Sequence, residues 1–585
     1  MNCDGEAMLS IRDRKQQHLF DPWETILSPK QRQLLDQQWP GYFREHILDL
    51  LPVNKLALAF PSDQGRPTKD LYTVLGALVL QQFHDLTDSQ VVEQLLFNIQ
   101  WHYALDLYKQ SDQAKYICEK TLWSMRLYSM TLGIDADVFD TIAVKLAELF
   151  KVDTRLQRID SLHIKSNMAR LGRIGIFVRA IDRFLVNLKR QHRGLWNKLD
   201  RDLVQRYQGQ QASGCFAAVK PSDSKRSLYE VACDLYRLVV QFDGHRQVAG
   251  MNSYMLLCRI VKEQCEVQSD GTVDLKAPKQ IPSDSLQNPS DPDATYSGHK
   301  GQGYQVQVME TYSEHEGEQK DPAQLNLITH VDVEKACESD AQALLPAIEA
   351  ALERDLAPEC LQADALYGSD ENCQDAGQHD VEVVSPTMGT EKKKGTALSA
   401  FEFRADGHVN RCPGGHQPLV RRKNKSGYSQ GFDQRICSRC PLRAQCPATK
   451  GKSYDYLRYT KKAMRLARRR QEENSAEFKD RYRWRAGVEA TMSQYDRLTG
   501  VKRLRVRGFK AVRFAAVLKA AGVNLARAVA AHRARRRSQG PDIGPDRGKY
   551  TGLSHFKELL SSISRILAGS FSTRLIFGMT ARETA

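Results

Sequence analysis

Residues 156–167 read LQRIDSLHIKSN, a run in which apolar and polar side chains trade places before Ser166 and Asn167 open a turn, so a strand is expected with Asp160 at its end. Downstream, YQVQVMET (304–311) alternates as a strand does, and NLITHVDV (326–333) is more continuously apolar, as suits a buried strand. A helical stretch over 340–354 separates these from Cys360–Ala365, and Val381–Ser385 reads as a further strand. Strand, helix, strand, helix, strand predicts parallel pairing and an α/β core. Asp364 follows the apolar end of CLQA, so both acids fall at strand ends, where such folds place ligands. Either Asp alone also fits a residue that merely ends a strand by bonding its own turn.

Upstream, residues 20–150 read as helical. Leu71, Val74, Leu75, Leu78 and Val79 form one apolar stripe, the pattern breaks at Phe83–Leu86, and Thr87 with Gln90 has capping-box spacing for the next helix. Preceded by Gly65-Arg66-Pro67, this pair fits either a helix-turn-helix reader of a duplex or an ordinary helical hairpin. Residues 170–265 return to long, charge-rich helical patterns, and 276–296 is a polar loop rich in Pro and Ser.

Far from the two Asp residues, DRYRWRAGVEATMSQYDRLTG places Tyr482, Arg485 and Glu489 at i, i+3 and i+7, one face of a helix. The bland reading is a surface Arg–Glu pair worth a few tenths of a kcal/mol. The sharper one joins Glu489 to Asp160 and Asp364, because phosphoryl transfer by two divalent ions needs carboxylates converging from distant parts of a chain. Cys437-x2-Cys440-x5-Cys446, with Cys412 upstream in RCPGGH, offers four thiolates in a segment with little apparent core, a set that suits a structural zinc ion, with His416 the substitute for Cys412. Cys118, Cys233, Cys258 and Cys337 read as core thiols, and thirteen cysteines in all argue against a disulfide framework.

Lys and Arg outnumber Asp and Glu by 85 to 70, for a formal charge of +15, which predicts attraction to a polyanion. The cations after the Glu helix, Arg497, Lys502, Arg503, Arg505 and Arg507, interleave with apolar residues and suit phosphate contacts, against the plainer reading of a solvated face. The first fifteen residues lack the pattern of a secretory signal, and no apolar run approaches the roughly 20 residues of a membrane span, so a cytoplasmic protein without a membrane partner is expected.

Tyr482-x2-Arg485-x3-Glu489 resembles the signature of bacterial insertion-sequence DDE transposases, and the wider chain resembles the insertion sequence 1182 group. The matching stretches are GRPTKDLYTVLGALVLQQFHDLTDSQ (65–90), RIDSLHIKSN (158–167), ADALYGSDEN (363–372), VEVVSP (381–386) and the cysteine segment, in order over residues 45–530. The resemblance implies a ribonuclease-H-like catalytic core with Asp160 on its first strand, Asp364 on its fourth and Glu489 on a helix after an insertion. It also implies Mg²⁺ (or Mn²⁺) as cofactor, double-stranded DNA as partner (transposon ends and target), a homodimer in the DNA complex, and strand cleavage with strand transfer. The rival readings are a nuclease on the same core that only hydrolyses and a non-catalytic, zinc-containing DNA-binding regulator. Where the signature continues to a Lys, this chain has Asp496 followed by Arg497.

The expected organisation is a helical DNA-binding domain over 1–150, the first part of the catalytic domain over 151–386 with its helical insertion, a cysteine-rich zinc-binding insertion over 387–455, the helices bearing Glu489 over 456–537, and a linker and tail over 538–585.

Overall fold

The computed structural model describes residues 9–14, 20–60, 67–208, 223–315, 321–389 and 395–539. Met1–His532 form one compact unit, and a second begins at Arg533. The tail expected over 538–585 lies outside the described residues from 540 onward.

The unit is mixed α/β, built on a six-stranded sheet. Its main strands are β1 (Leu156–Lys165), β2 (Gly301–Thr311), β3 (Ile328–Lys335), β4 (Cys360–Gln362) and β5 (Glu382–Val384), with a short edge strand, Thr295–Ser297. They lie in the order β3-β2-β1-β4-β5, and the edge strand extends the outer side of β2 beside β3. The parallel pairing expected from the sequence holds for β1–β4 and β4–β5, whereas β1–β2 and β2–β3 are antiparallel. The reason is the connection: β2 returns into β3 through a loop, while α6 (Leu344–Leu352) and α7 (Asp370–Gln378) carry the chain into β4 and β5.

Period-two alternation divides the two faces. Leu162, Ile164, Val306 and Val308 face the largest core, shared with the N-terminal helices and the C-terminal helices α10 (Val488–Thr499) and α11 (Phe509–Gln539). Ile159 and Met309 face the opposite side, where Leu344, Ala347 and Ile348 of α6 cover them. α11 is the one described helix long and apolar enough to cross a membrane, and its apolar window is mostly buried inside the protein.

The N-terminal break is as expected in place and differs in use. α1 (Leu71–His84) ends at Asp85 in the left-handed region (φ 52°), and α2 (Asp88–Phe97) opens with the Thr87–Gln90 capping box. Asp85 accepts hydrogen bonds from Arg505 Nη2 (3.0 Å) and from the buried Lys519 Nζ (2.9 Å), so the turn is fastened to the end of α10. α2, with the sequence DSQVVEQLLF, carries no Lys or Arg, which favours the helical hairpin over a duplex reader.

The insertion between β1 and β2 has its own core, in which Phe177 and Phe184 of α3 (Arg173–Gln191) meet Leu235 of α4 (Ser224–Gln241) and Leu257 of α5 (Asn252–Gln264). Asp291 then ties the insertion's return to the sheet: it accepts from Ser166 Oγ, Tyr304 OH and Gly508 N at 2.6 to 3.0 Å, just before α11. The cysteine-rich segment also departs from expectation. It has a small core of Phe401, Val409, Tyr428, Phe432 and Leu457 on a four-stranded sheet, hidden in the sequence by its many Gly and Lys residues.

Candidate active site

Asp160 sits in the middle of the ten-residue β1, where the sequence placed it at a strand end. The register explains the site. Arg158 of β1 stands opposite Gln362 of the parallel β4, so two residues further Asp160 lies level with Asp364, just where β4 has stopped. β1 continues past that level because it has an antiparallel partner in β2, where Asp160 faces Val308. Asp364 is held in a turn, its Oδ1 accepting from Leu366 N at 2.8 Å.

Burial pushes the Asp160 carboxyl above the usual carboxylate range; Arg485 opposes that shift, and the charges of Asp364 and Asp340 add to it. Arg485 Nη2 lies 2.8 Å from Asp160 Oδ2. Arg485 Nε is buried and has no hydrogen-bond partner. Burial raises the Tyr482 phenol, as do the charges of Asp364 and Asp160, so Tyr482 remains a hydrogen-bond donor at neutral pH.

Asp340 was missed by sequence reasoning. It occupies a short 3₁₀ turn, 8% exposed, and accepts from Gln307 Nε2 at 3.1 Å. Lys300 reaches into the same neighbourhood, its Nζ donating to Ser161 Oγ at 2.8 Å and standing 3.7 Å from Asp340 Oδ2.

The single helix expected for Tyr482, Arg485 and Glu489 is broken into three elements. Tyr482 ends α9 (Ala476–Tyr482), Arg485 lies on the 3₁₀ turn Arg483–Gly487, and Glu489 opens α10. Glu489 is exposed, and it is not among the leading charges acting on Asp160. Asp160 and Asp364 are brought together, but among the described residues no group of three or more His, Cys, Asp or Glu side chains stands in metal-holding geometry, and Glu489 is not grouped with the two Asp residues.

What seats this segment is a buried ion network. Glu310 of β2 is fully buried, bonded to Arg158 Nη2 (2.7 Å), to Arg527 Nη1 of α11 (2.9 Å) and to Thr491 Oγ1 of α10 (2.6 Å). Arg158 Nη1 also donates to Trp484 O at 2.7 Å, and a Cβ on Gly487 would collide with its guanidinium. The 3₁₀ turn is thereby clamped to the strand that carries Asp160.

Comparison with known families then decides the identity. Residues 32–126 match a transposase domain family (DUF772), and residues 411–529 match the family described as the transposase DDE domain. Both matched segments fall in transposase families, which indicates an insertion-sequence DDE transposase. The DDE-domain match covers Tyr482, Arg485, Glu489 and the four cysteines, while Asp160 and Asp364 lie outside it. No curated protein and no solved structure matches the chain.

Most of the chain's cations between Glu489 and Gly508 are occupied. Asp496 accepts from Lys502 N at 3.1 Å and stands 3.8 Å from Lys502 Nζ, so it caps the turn after α10. Arg505 is held by Asp85, and Arg507 Nε donates to Asn167 Oδ1 at 2.7 Å. Arg497 and Arg503 are exposed.

In the cysteine segment, Cys412 Sγ and Cys440 Sγ flank Gly414, at 3.7 and 3.5 Å from the position its Cβ would take. Cys437 is pushed up to about 11 by burial, with Asp455, Cys446 and Cys412 adding to the shift, so the thiols share one neighbourhood, but no three of them stand in metal-holding geometry. Asp455 Oδ1 is buried there with no hydrogen-bond partner. Cys118, Cys233, Cys258 and Cys337 are all half-buried.

Proposed function

We propose that this transposase binds the ends of its element, cleaves a phosphodiester at each end and joins the freed 3′-hydroxyl to a second duplex. The observation that carries the reading is Asp160 level with Asp364 on adjacent parallel strands, with Arg485 against Asp160. Strand order β3-β2-β1-β4-β5, antiparallel through β1 and parallel beyond it, supports a ribonuclease-H-like core. Asp160, Asp364 and Glu489 would hold Mg²⁺ (or Mn²⁺): an all-oxygen donor set suits a hard ion, and Asp160, which burial raises despite Arg485 and to which Asp364 and Asp340 add, sits where a further cation would relieve the strain. Such a pair of ions supplies activation of the attacking oxygen and charge neutralisation at the leaving oxygen.

The chain's own residues do the rest. Arg485 turns its unpartnered Nε–H toward a phosphate oxygen, Tyr482 donates its phenol beside it, and Arg497 and Arg503 take phosphates flanking the scissile bond, with Lys502, Arg505 and Arg507 adding positive field. Both displacements are in-line at phosphorus, so one set of residues serves them in turn without a covalent protein intermediate.

Cys412, Cys437, Cys440 and Cys446 would hold a structural zinc ion, which suits the orphaned, buried carboxylate oxygen of Asp455 beside them. A homodimer on the two ends, a cytoplasmic location on the nucleoid, and membership of the insertion sequence 1182 group belong to the same reading.

The test is a duplex oligonucleotide of the DNA flanking the gene, pre-cut at the 3′ end, incubated with purified protein, plasmid and Mg²⁺. Joined product that disappears in Asp160→Asn, Asp364→Asn and Glu489→Gln supports the proposal. Hydrolysis without joining points to a nuclease, and activity surviving all three changes overturns it.

A further inference from the structure

The basic charge of this chain is unevenly spread. Residues 165–199 contain nine Lys and Arg against one carboxylate, Asp182, a net +8 of the chain's +15. The stretch runs from the end of β1, which carries Asp160, into the insertion helix α3. One face of α3 is apolar and buried, through Phe177, Ile181, Phe184 and Leu188. The other is exposed and carries Arg179, Arg183 and Arg190, spaced i, i+4 and i+11, with Val186 between them 51% exposed and Arg193 just beyond the helix.

Three comparisons separate this face from an ordinary solvated one. First, each neighbouring helix pairs an Arg on the spot: Arg226 with Glu230 on α4 and Arg259 with Glu263 on α5, each at i+4. On α3 the residue four after Arg179 is Arg183, a like-charge spacing that costs the helix a few tenths of a kcal/mol. Second, much of the basic run 501–513 is spent internally, on Asp85, Asp496, Asn167 and, through Arg513, Asp135 and Asp332, and in the run 461–470 Arg465 pairs with Asp370 and Arg469 donates to Gly368 O. Third, the helix dipole accounts for Lys189 and Arg190 in the last turn but not for Arg179, which lies in the first half. Within the protein, Arg183 donates to Pro289 O and Arg179 acts on the half-buried Asp182.

We propose that the exposed face of α3 is a binding surface for the phosphate backbone of duplex DNA, independent of the carboxylate site. From Arg179 to Arg190 the face spans about 17 Å, enough to reach several phosphates of one strand. Its place on the insertion, directly after β1, lets it hold DNA that continues beyond the reacting bond. This rests on the transposase reading only in naming DNA as the polyanion.

The experiment uses the full chain and a random-sequence duplex of about 40 base pairs, with the dissociation constant followed by fluorescence anisotropy against NaCl concentration. Each phosphate contact contributes about 0.9 to the salt slope. Arg179→Gln, Arg190→Gln and Arg193→Gln together are expected to lower the slope by 2 to 3 and weaken binding about ten- to a hundredfold at 0.15 M salt. Lys225→Gln with Lys262→Gln, exposed cations on α4 and α5, should change the slope little. An unchanged slope in the triple variant overturns the proposal, as does an equal fall in the control pair, which would mean net charge alone. Glu at the same three positions repeats the test, and circular dichroism confirms that each variant is folded. Wild type that binds with the full slope yet joins no ends sinks the catalytic reading and leaves this one standing.

Discussion

Asp160 and Asp364 owe their meeting to backbone: two parallel strands in register, a turn closing on Asp364 Oδ1, and an arginine network locking the neighbouring helix. Cys412, Cys440 and Cys446 stand instead on irregular backbone and Cys437 on the short helix Gln434–Ser438, around a small satellite core with no strand pair holding them in register. On the proposed reading, the Asp160–Asp364 pair is positioned before any ion arrives and Glu489 has still to join it, whereas the thiol site would depend on an ion for its whole arrangement. Preorganised sites lose function when a ligand is removed and keep their fold; ion-completed sites lose structure.

The sharpest way to test that contrast is Asp160→Asn. Strand joining should fall by about a thousandfold or more, the loss of several kcal/mol of charge stabilisation. Thermal unfolding should shift by only a few degrees; a collapse of the fold would show that the acid is structural.

Glu310→Gln attacks the framework itself. It leaves Arg158 and Arg527 buried without their counter-charge, so denaturant unfolding should show a loss of about 3–5 kcal/mol. Wild-type stability in that variant would mean that the network does not seat the helix of Glu489.

Acid offers a milder probe. Burial lowers His330 on β3 to about 4, with Arg354 adding to the effect. The unfolded chain, titrating near 6.5, takes up the proton first. The stability tied to neutral His330 is thus complete above pH 6.5 and is lost as pH falls toward 4, about 2 kcal/mol between pH 7 and pH 5. His330→Gln should flatten that part of the profile, and an unchanged profile would exclude the histidine as its source.

The smallest effect is local. Cys437→Ser, or chelation of the wild type, should speed proteolysis within 395–460, about tenfold for each 1.4 kcal/mol of local stability lost, while the β1–β4 region stays protected. Equal protection with and without chelator would mean that the satellite core suffices.

Much of this was legible in the chain. Strand patterns located all five main strands, and the acids in RIDSL and QADAL stood out against apolar flanks. Pairing direction was less accessible, because alternation reports burial and only the connections set direction. Asp340 gave no signal, being one acid in the polar run ESDAQ. Arg158 and Glu310 are 152 residues apart in sequence and meet only through cross-strand register, which periodicity does not encode. The break between Tyr482 and Glu489 had one trace, Gly487, a poor helix former that also makes room for Arg158. The cysteine segment misled through composition, since its core residues are diluted among loop formers.

The 135-residue gap between the two longest strands of the sheet also has a consequence for biosynthesis. β1 leaves the ribosome long before β2 exists to pair with it, roughly 7 to 27 seconds at ordinary elongation rates. Throughout that interval a ten-residue strand has open hydrogen-bonding edges, the kind of surface that nascent chains aggregate through. The helices already made, which pack on Leu162 and Ile164 in the finished protein, are the cover available to it, so lesions in that bundle should surface first as insoluble product during expression.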